Sequence, residues 1–139
     1  MKTSTTRFLI IDDSKSIREV IRRYLAERID GTFLSAGNGE EAEVVLQENQ
    51  LMGTPIEIII LDWMMPKVTG FEFLKKIRGT ELFANNPTIV MLSAETYPEQ
   101  IEAAMKYNVA AYVKKPFTQE DLVSVVTEIL SKRGLKNAV

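Results

Sequence analysis

The sequence predicts an α/β fold, a single doubly wound domain in which a parallel sheet of (βα)5 layout carries helices on both faces. Three observations point there. Five short apolar runs alternate with five longer amphipathic segments. Most of the runs are continuous rather than alternating, as strands covered on both faces require. The 139 residues suit one domain and leave little room for a second. Strand–helix alternation repeated five times gives parallel strands joined by right-handed crossovers.

In chain order, the first strand is expected at Phe8–Ile11. The helical segment after it carries Ile17, Val20, Ile21, Tyr24 and Leu25 at the i, i+3, i+4, i+7 positions of one face. Ser16 with Glu19 has N-cap spacing, or that helix begins two residues earlier. Phe33–Ala36 is the second strand, and Asn38 with Glu41 opens a helix holding Ala42, Val45 and Leu46. Ile56–Leu61 is the third strand, followed by Thr69 with Glu72 and a helix built on Phe73, Leu74 and Ile77. Thr88–Leu92 is the fourth. Thr96 with Glu99 starts the next helix, with Pro98 tolerated in its first turn and Ile101, Ala104 and Met105 on its apolar face. Ala111–Val113 is the fifth strand, and Thr118 with Asp121 opens the clearest helix of all, striped by Leu122, Val125, Val126, Ile129 and Leu130. The domain is expected over residues 7–133, between a polar leader (1–6) and a tail (134–139).

Composition removes whole classes of chemistry. There is no cysteine and no histidine, so disulfides, zinc ribbons, thiol nucleophiles and His-based triads are excluded. Seventeen basic against nineteen acidic residues leave a net charge of -2, so no nucleic-acid partner is expected. The longest aliphatic runs reach only about four residues against the ~20 needed to cross a bilayer, so no membrane partner is expected. The start of the chain has no signal-peptide pattern, and a cytoplasmic location is expected.

The informative polar residues sit just past the apolar runs: Asp12 and Asp13 after the first, Asp62 at the end of the third, Ser93 after the fourth, and Lys115 after the fifth. In an open parallel sheet these positions share one edge, where ligands bind near the reversal of strand order. Each has a plainer reading alone. Asp13 could cap a helix, Ser93 could form a turn and Lys115 could be a solvated charge. Asp62 is different, because an aspartate ill suits the buried run Ile58-Ile59-Ile60-Leu61. Together, three convergent carboxylates repel one another unless a cation sits among them, and all-oxygen ligation favours Mg²⁺. A lysine opposite would neutralise phosphoryl charge, the arrangement an aspartyl-phosphate needs. Met64 and Met65 read as packing residues rather than sulfur ligands, and Trp63 as either a core aromatic or a lid over the cleft.

These residues resemble the receiver domains of two-component response regulators, most closely the stand-alone chemotaxis type. The matching pieces are Asp12-Asp13, then Asp62-Trp63-Met64-Met65-Pro66 with Gly70 following, then Ser93-Ala94, then Tyr112-Val113-Lys114-Lys115-Pro116-Phe117. The resemblance covers roughly residues 7–133. It implies a flavodoxin-like sheet of strand order 2-1-3-4-5 and Asp62 as phosphoacceptor. Mg²⁺ would be held by the Asp13 and Asp62 carboxylates and the Met64 backbone carbonyl, with Asp12 acting through water. Lys115 and Ser93 would contact the phosphoryl group, Ser93 and Tyr112 would form the switch, and the bond before Pro116 would be cis. The implied donor is a histidine kinase or phosphotransfer protein. The implied target binds the face formed by the fourth helix, fifth strand and fifth helix, with the flagellar motor switch as a candidate. A monomer with no attached output domain is expected.

Three positions depart from the family pattern. Met64 stands where chemotaxis relatives often carry Asn, Val68-Thr69 replaces Met-Asp, and Asn108 fills a turn position often held by Gly, which Asn tolerates in the left-handed region. A second class fits less well: a Mg²⁺-dependent phosphohydrolase of small phosphate esters with Asp62 as nucleophile. Enzymes of that kind usually place the nucleophile after the first strand with a second aspartate two residues on, whereas Asp12 and Asp13 are adjacent. A nucleotide or flavin module is poorer still, since the turn Asp12-Asp13-Ser14-Lys15-Ser16 has no glycine and sets negative charge against a phosphate.

Overall fold

The computed structural model describes residues 5–65, 68–94 and 97–138, with side chains described to residue 132. The elements alternate β1 (Thr6–Ile11), α1 (Lys15–Ala26), β2 (Gly31–Ala36), α2 (Gly39–Leu51), β3 (Ile58–Asp62), α3 (Gly70–Arg78), β4 (Thr88–Ser93), α4 (Pro98–Met105), β5 (Ala111–Lys114) and α5 (Gln119–Ala138). The strands form one parallel sheet in the order β2-β1-β3-β4-β5, the flavodoxin-like arrangement. The chain therefore reverses its direction of winding between β1 and β3.

Side-chain alternation along the strands divides the core in two. Leu9, Ile11, Ile59, Leu61, Ile89 and Met91 face one side and meet Leu46, Phe73, Leu74, Ile77 and Ala104 of α2, α3 and α4. Phe8, Ile10, Ile58, Ile60, Val90 and Leu92 face the other and meet Ile21, Leu25, Leu122, Val123 and Val126 of α1 and α5. With helices on both faces, central strands need apolar residues at every position, so β3 is buried from end to end.

Helix starts follow local chemistry. Asn38 accepts from the Glu41 N–H at 2.9 Å. Thr69 and Glu72 form a reciprocal capping box, and Thr118 and Asp121 exchange bonds of 2.9 and 3.1 Å. The α1 cap is Ser14 rather than Ser16, because the Ser14 hydroxyl meets the Ile17 N–H at 3.3 Å. Tyr97 stands at the cap of α4 with no side-chain bond. Thr96 lies outside the described residues. β1 and β2 begin earlier than their apolar runs, since Thr6↔Gly31 and Arg7↔Thr32 pair through the backbone whatever their side chains. β3 begins two residues later than Ile56, and α5 continues helically past Gly134 into residues read as a tail. Asn108 occupies the left-handed region with φ 61°.

Candidate functional site

The strand ends place the polar residues, and the backbone ladder carries them one step beyond the sheet. The Asp12 N–H donates to Ala36 O at 3.2 Å, the Trp63 N–H to Leu92 O at 2.9 Å, and the Lys115 N–H to Ser93 O at 2.8 Å. Residues from three separate β–α junctions are thereby held in sheet register at one rim, on either side of the winding reversal.

The structure brings Asp12, Asp13, Asp62 and Lys115 together. Carboxylate oxygens of the three aspartates all lie within 4.8 Å of one another. Asp12 and Asp62 are 2% and 3% exposed, whereas Asp13 faces solvent. Lys115 Nζ donates to Asp62 Oδ1 at 2.7 Å and reaches Asp12 Oδ2 at 3.4 Å. Ser14 N–H donates to Asp12 Oδ1 at 2.9 Å, so the residue that caps α1 also orients a site carboxylate. Ser93 is fully buried as the last residue of β4, in the strand beside Asp62. The Met64 backbone N–H lies near enough to the Asp62 carboxylate to favour its charged form, and the Met64 side chain is exposed. The Lys115–Pro116 bond is cis.

The electrostatics are out of balance. Burial, followed by the Asp12 charge, pushes the Asp62 carboxyl above its ordinary value, and Lys115 and the Met64 N–H only partly offset this. Burial works to lower the Lys115 ammonium, yet its contacts with Asp62 and Asp12 win and hold it above the usual lysine value. Among the described residues, one ammonium faces three carboxylates. A hard divalent ion with oxygen ligands fits this excess of negative charge, and the all-oxygen donor set suits an ion such as Mg²⁺ better than a softer metal.

Trp63, adjacent to Asp62, is a core aromatic and not a lid. It is buried, stacks on Phe71 at 5.0 Å with planes 11° apart, and lies 6.2 Å from Tyr112. Phe71 in turn meets Tyr107 edge-on at 5.7 Å and carries Lys75 Nζ over its ring at 5.4 Å. Tyr112 is half-buried at the end of this aromatic row. Met65 packs in the core as its sequence context suggests, but Met64 does not, and its side chain stands in solvent.

Sequence reasoning gave no role to Gly70, Arg18 or Arg78. A Cβ on Gly70 would overlap the Asp62 carbonyl oxygen, and its N–H bonds Trp63 O at 2.8 Å, so the first residue of α3 must be glycine for the Asp62 segment to lie where it does. The available signal was a glycine, a poor helix former, immediately after a good N-cap. Arg18 Nη1 donates to the Asp12 carbonyl at 2.7 Å from one turn inside α1. Arg78, far from the site, is buried with its guanidinium on the carbonyls of Phe83, Pro87, Tyr107 and Asn108.

Comparison with known proteins agrees with this geometry. Residues 8–127 match the family described as the response regulator receiver domain. The chain is similar to the chemotaxis protein CheY homolog of Campylobacter jejuni, at 31% identity over 124 residues covering 89% of this chain and 92% of the relative. Among solved structures it is similar to chemotaxis response regulator CheY4 of Vibrio cholerae, with TM-score 0.79, 29% identity, and 91% and 99% of the two chains covered. It is also similar to a response regulator receiver domain protein of Clostridium thermocellum, with TM-score 0.79, 25% identity, and 94% and 98% covered.

Proposed function

The chain belongs to the response regulator receiver domain family, and on that premise we propose that it is a phosphorylation switch in which Asp62 takes a phosphoryl group from a phosphohistidine of a partner kinase or phosphotransfer protein. The observation that carries this reading is the convergence of Asp12, Asp13 and Asp62 within 4.8 Å, two of them buried, beside the Lys115 ammonium. The donor histidine lies outside this sequence, which has none.

In the proposed reaction an Asp62 carboxylate oxygen attacks phosphorus in line with the P–N bond. That bond breaks, and its electron pair leaves with the donor imidazole. Lys115 exchanges its carboxylate contact for the incoming phosphoryl oxygens and stabilises their charge in the loose transition state. The Asp13 and Asp62 carboxylates and the Met64 carbonyl would hold Mg²⁺, with Asp12 acting through water, and the ion supplies neutralisation of phosphoryl charge. Hydrolysis of the acyl phosphate later resets the protein, so its own turnover is that of a signalling regulator and not of an enzyme acting on metabolites.

Phosphorylation adds roughly -1.5 to -2 charge at the rim. Ser93 then bonds the phosphoryl group and Tyr112 turns inward, repacking the α4–β5–α5 face, where Tyr97 and Met105 are exposed apolar groups. Reversing a 1:99 population takes about 5.5 kcal/mol of differential stabilisation, within reach of a few charge-assisted bonds of ~1.5–3 kcal/mol each. The names of the chemotaxis relatives support chemotaxis as the pathway, and the proposal extends to a protein target such as the flagellar motor switch and to action as a cytoplasmic monomer. Among the described residues no helix is long and apolar enough to cross a membrane.

The test is incubation with acetyl phosphate, with and without Mg²⁺, of wild type and Asp62→Asn, followed by intact mass. One added phosphoryl group on wild type with metal, and none on the variant, is expected. An unchanged wild-type mass refutes the reading. Turnover of sugar phosphates without a phosphoprotein would favour the phosphohydrolase instead.

A further inference from the structure

Met64 carries a chemistry that phosphoryl transfer does not use. Its thioether is 60% exposed, while Met65 beside it is 6% exposed and Met91 is fully buried. Met64 stands two residues after Asp62, close enough for its N–H to help hold the Asp62 carboxyl down, which brings the sulfur within a side chain's reach of the phosphoacceptor. The chain has no cysteine to react first. Trp63, the other oxidisable group here, is buried against Phe71. Met52 and Met105 are also exposed, but they stand at the C-terminal ends of α2 and α4, outside the acidic cluster. Thioether oxidation follows exposure and needs no deprotonation. The surrounding carboxylates repel anionic oxidants and leave the site open to uncharged hydrogen peroxide.

We propose that Met64 is a redox modification site, converted by hydrogen peroxide to methionine sulfoxide, which shortens the life of the phosphorylated state. The sulfur lone pair attacks one peroxide oxygen, the O–O bond breaks, and that oxygen stays on sulfur. The other oxygen leaves as water, so sulfur is oxidised by two electrons and peroxide is reduced. The product places a strong hydrogen-bond acceptor where an apolar thioether stood. Water that the thioether does not hold is then held beside the acyl phosphate. Stabilising that water by about one net hydrogen bond speeds hydrolysis roughly two- to tenfold. This consequence rests on the phosphoacceptor reading above.

The experiment treats wild type and Met64→Leu with hydrogen peroxide, removes the oxidant with catalase, and maps added oxygen by peptide mass spectrometry. Both proteins are then loaded with acetyl phosphate and Mg²⁺ and followed through loss of the phosphoryl group, each against its own untreated control. Oxygen is expected at Met64, Met52 and Met105 but not at Met65 or Met91. Oxidised wild type should lose phosphate faster, methionine sulfoxide reductase should restore the original rate, and Met64→Leu should not respond to peroxide. An unmodified Met64 where Met52 and Met105 react, or an equal response in Met64→Leu, overturns the proposal. Failure of untreated wild type to accept phosphate is a separate result, and it removes the phosphoacceptor reading and this consequence together.

Discussion

Replacing Gly70 by alanine puts one methyl carbon where the structure has no space. The new Cβ would overlap the Asp62 carbonyl oxygen and stand 2.9 Å from its carbonyl carbon and 3.0 Å from Trp63 Cα. Relief needs a displacement on the order of 1 Å, because carbon contacts are comfortable only near 3.5–4.0 Å. The clash is with backbone, so no side chain can rotate away. Overpacking of this kind costs about 1–3 kcal/mol. Loss of the 2.8 Å Gly70–Trp63 bond adds about 0.5–1.5 kcal/mol, and the better helix propensity of alanine returns up to about 1 kcal/mol. A net loss of about 0.5–4.5 kcal/mol follows, with a fall in Tm of roughly 3 °C for each kcal/mol in a domain of this size. The displaced segment carries Asp62, so phosphorylation should suffer more than stability, by up to about a hundredfold for a 1 Å misplacement. Gly79→Ala is the control, since its nearest neighbours would be carbonyl oxygens at 3.3 and 3.4 Å in ordinary helical backbone. Thermal melts and acetyl phosphate labelling rates of the two variants decide the matter. A Gly70→Ala protein with wild-type Tm and wild-type labelling would refute the close-approach argument.

Four further outcomes are expected. In the absence of metal, the raised Asp62 value means that the folded state binds its proton more readily than the unfolded chain. Its contribution to stability therefore improves as pH falls from neutral into the window between its folded value and 3.8, and Asp62→Asn abolishes that slope in urea midpoints measured against pH. Mg²⁺ affinity, followed by Trp63 fluorescence, weakens across the same window as protons compete for the carboxylate. Saturating Mg²⁺ raises Tm, by the equivalent of about 2.7 kcal/mol at a hundred times Kd, and EDTA reverses the gain. Arg78→Met leaves four carbonyls without their donor and should cost about 3–5 kcal/mol in chemical denaturation, with little rescue by Arg78→Lys because an ammonium lacks the planar fork.

The sheet was legible in the sequence because both of its faces are buried, which forces unbroken apolar runs such as Ile58–Leu61. Its edges were less so, since Thr6, Arg7, Gly31 and Thr32 pair through backbone alone. The acidic cluster could be anticipated because each member interrupts or ends an apolar run, and topology does the rest. Features made by elements distant in sequence could not. Arg78 looks like one more surface charge after Lys75 and Lys76 until the loops at Phe83, Pro87 and Tyr107 close over it. The Phe71–Tyr107 contact, the Gly70 approach and the exposure of Met64 beside a buried Met65 depend likewise on where α3 and the β3–α3 turn settle against the sheet.

The winding that collects Asp12, Asp62 and Lys115 at one rim also leaves the opposite rim unburdened by chemistry. Gly53, between α2 and β3, has φ 77° and nothing within 4 Å of where a side chain would begin. It is there, and not near the crowded Arg78 carbonyls, that an engineer would splice in a fluorescent reporter or a tether to a surface. A guest inserted in that loop would ride on the domain while the reactive end stayed open to its visitors.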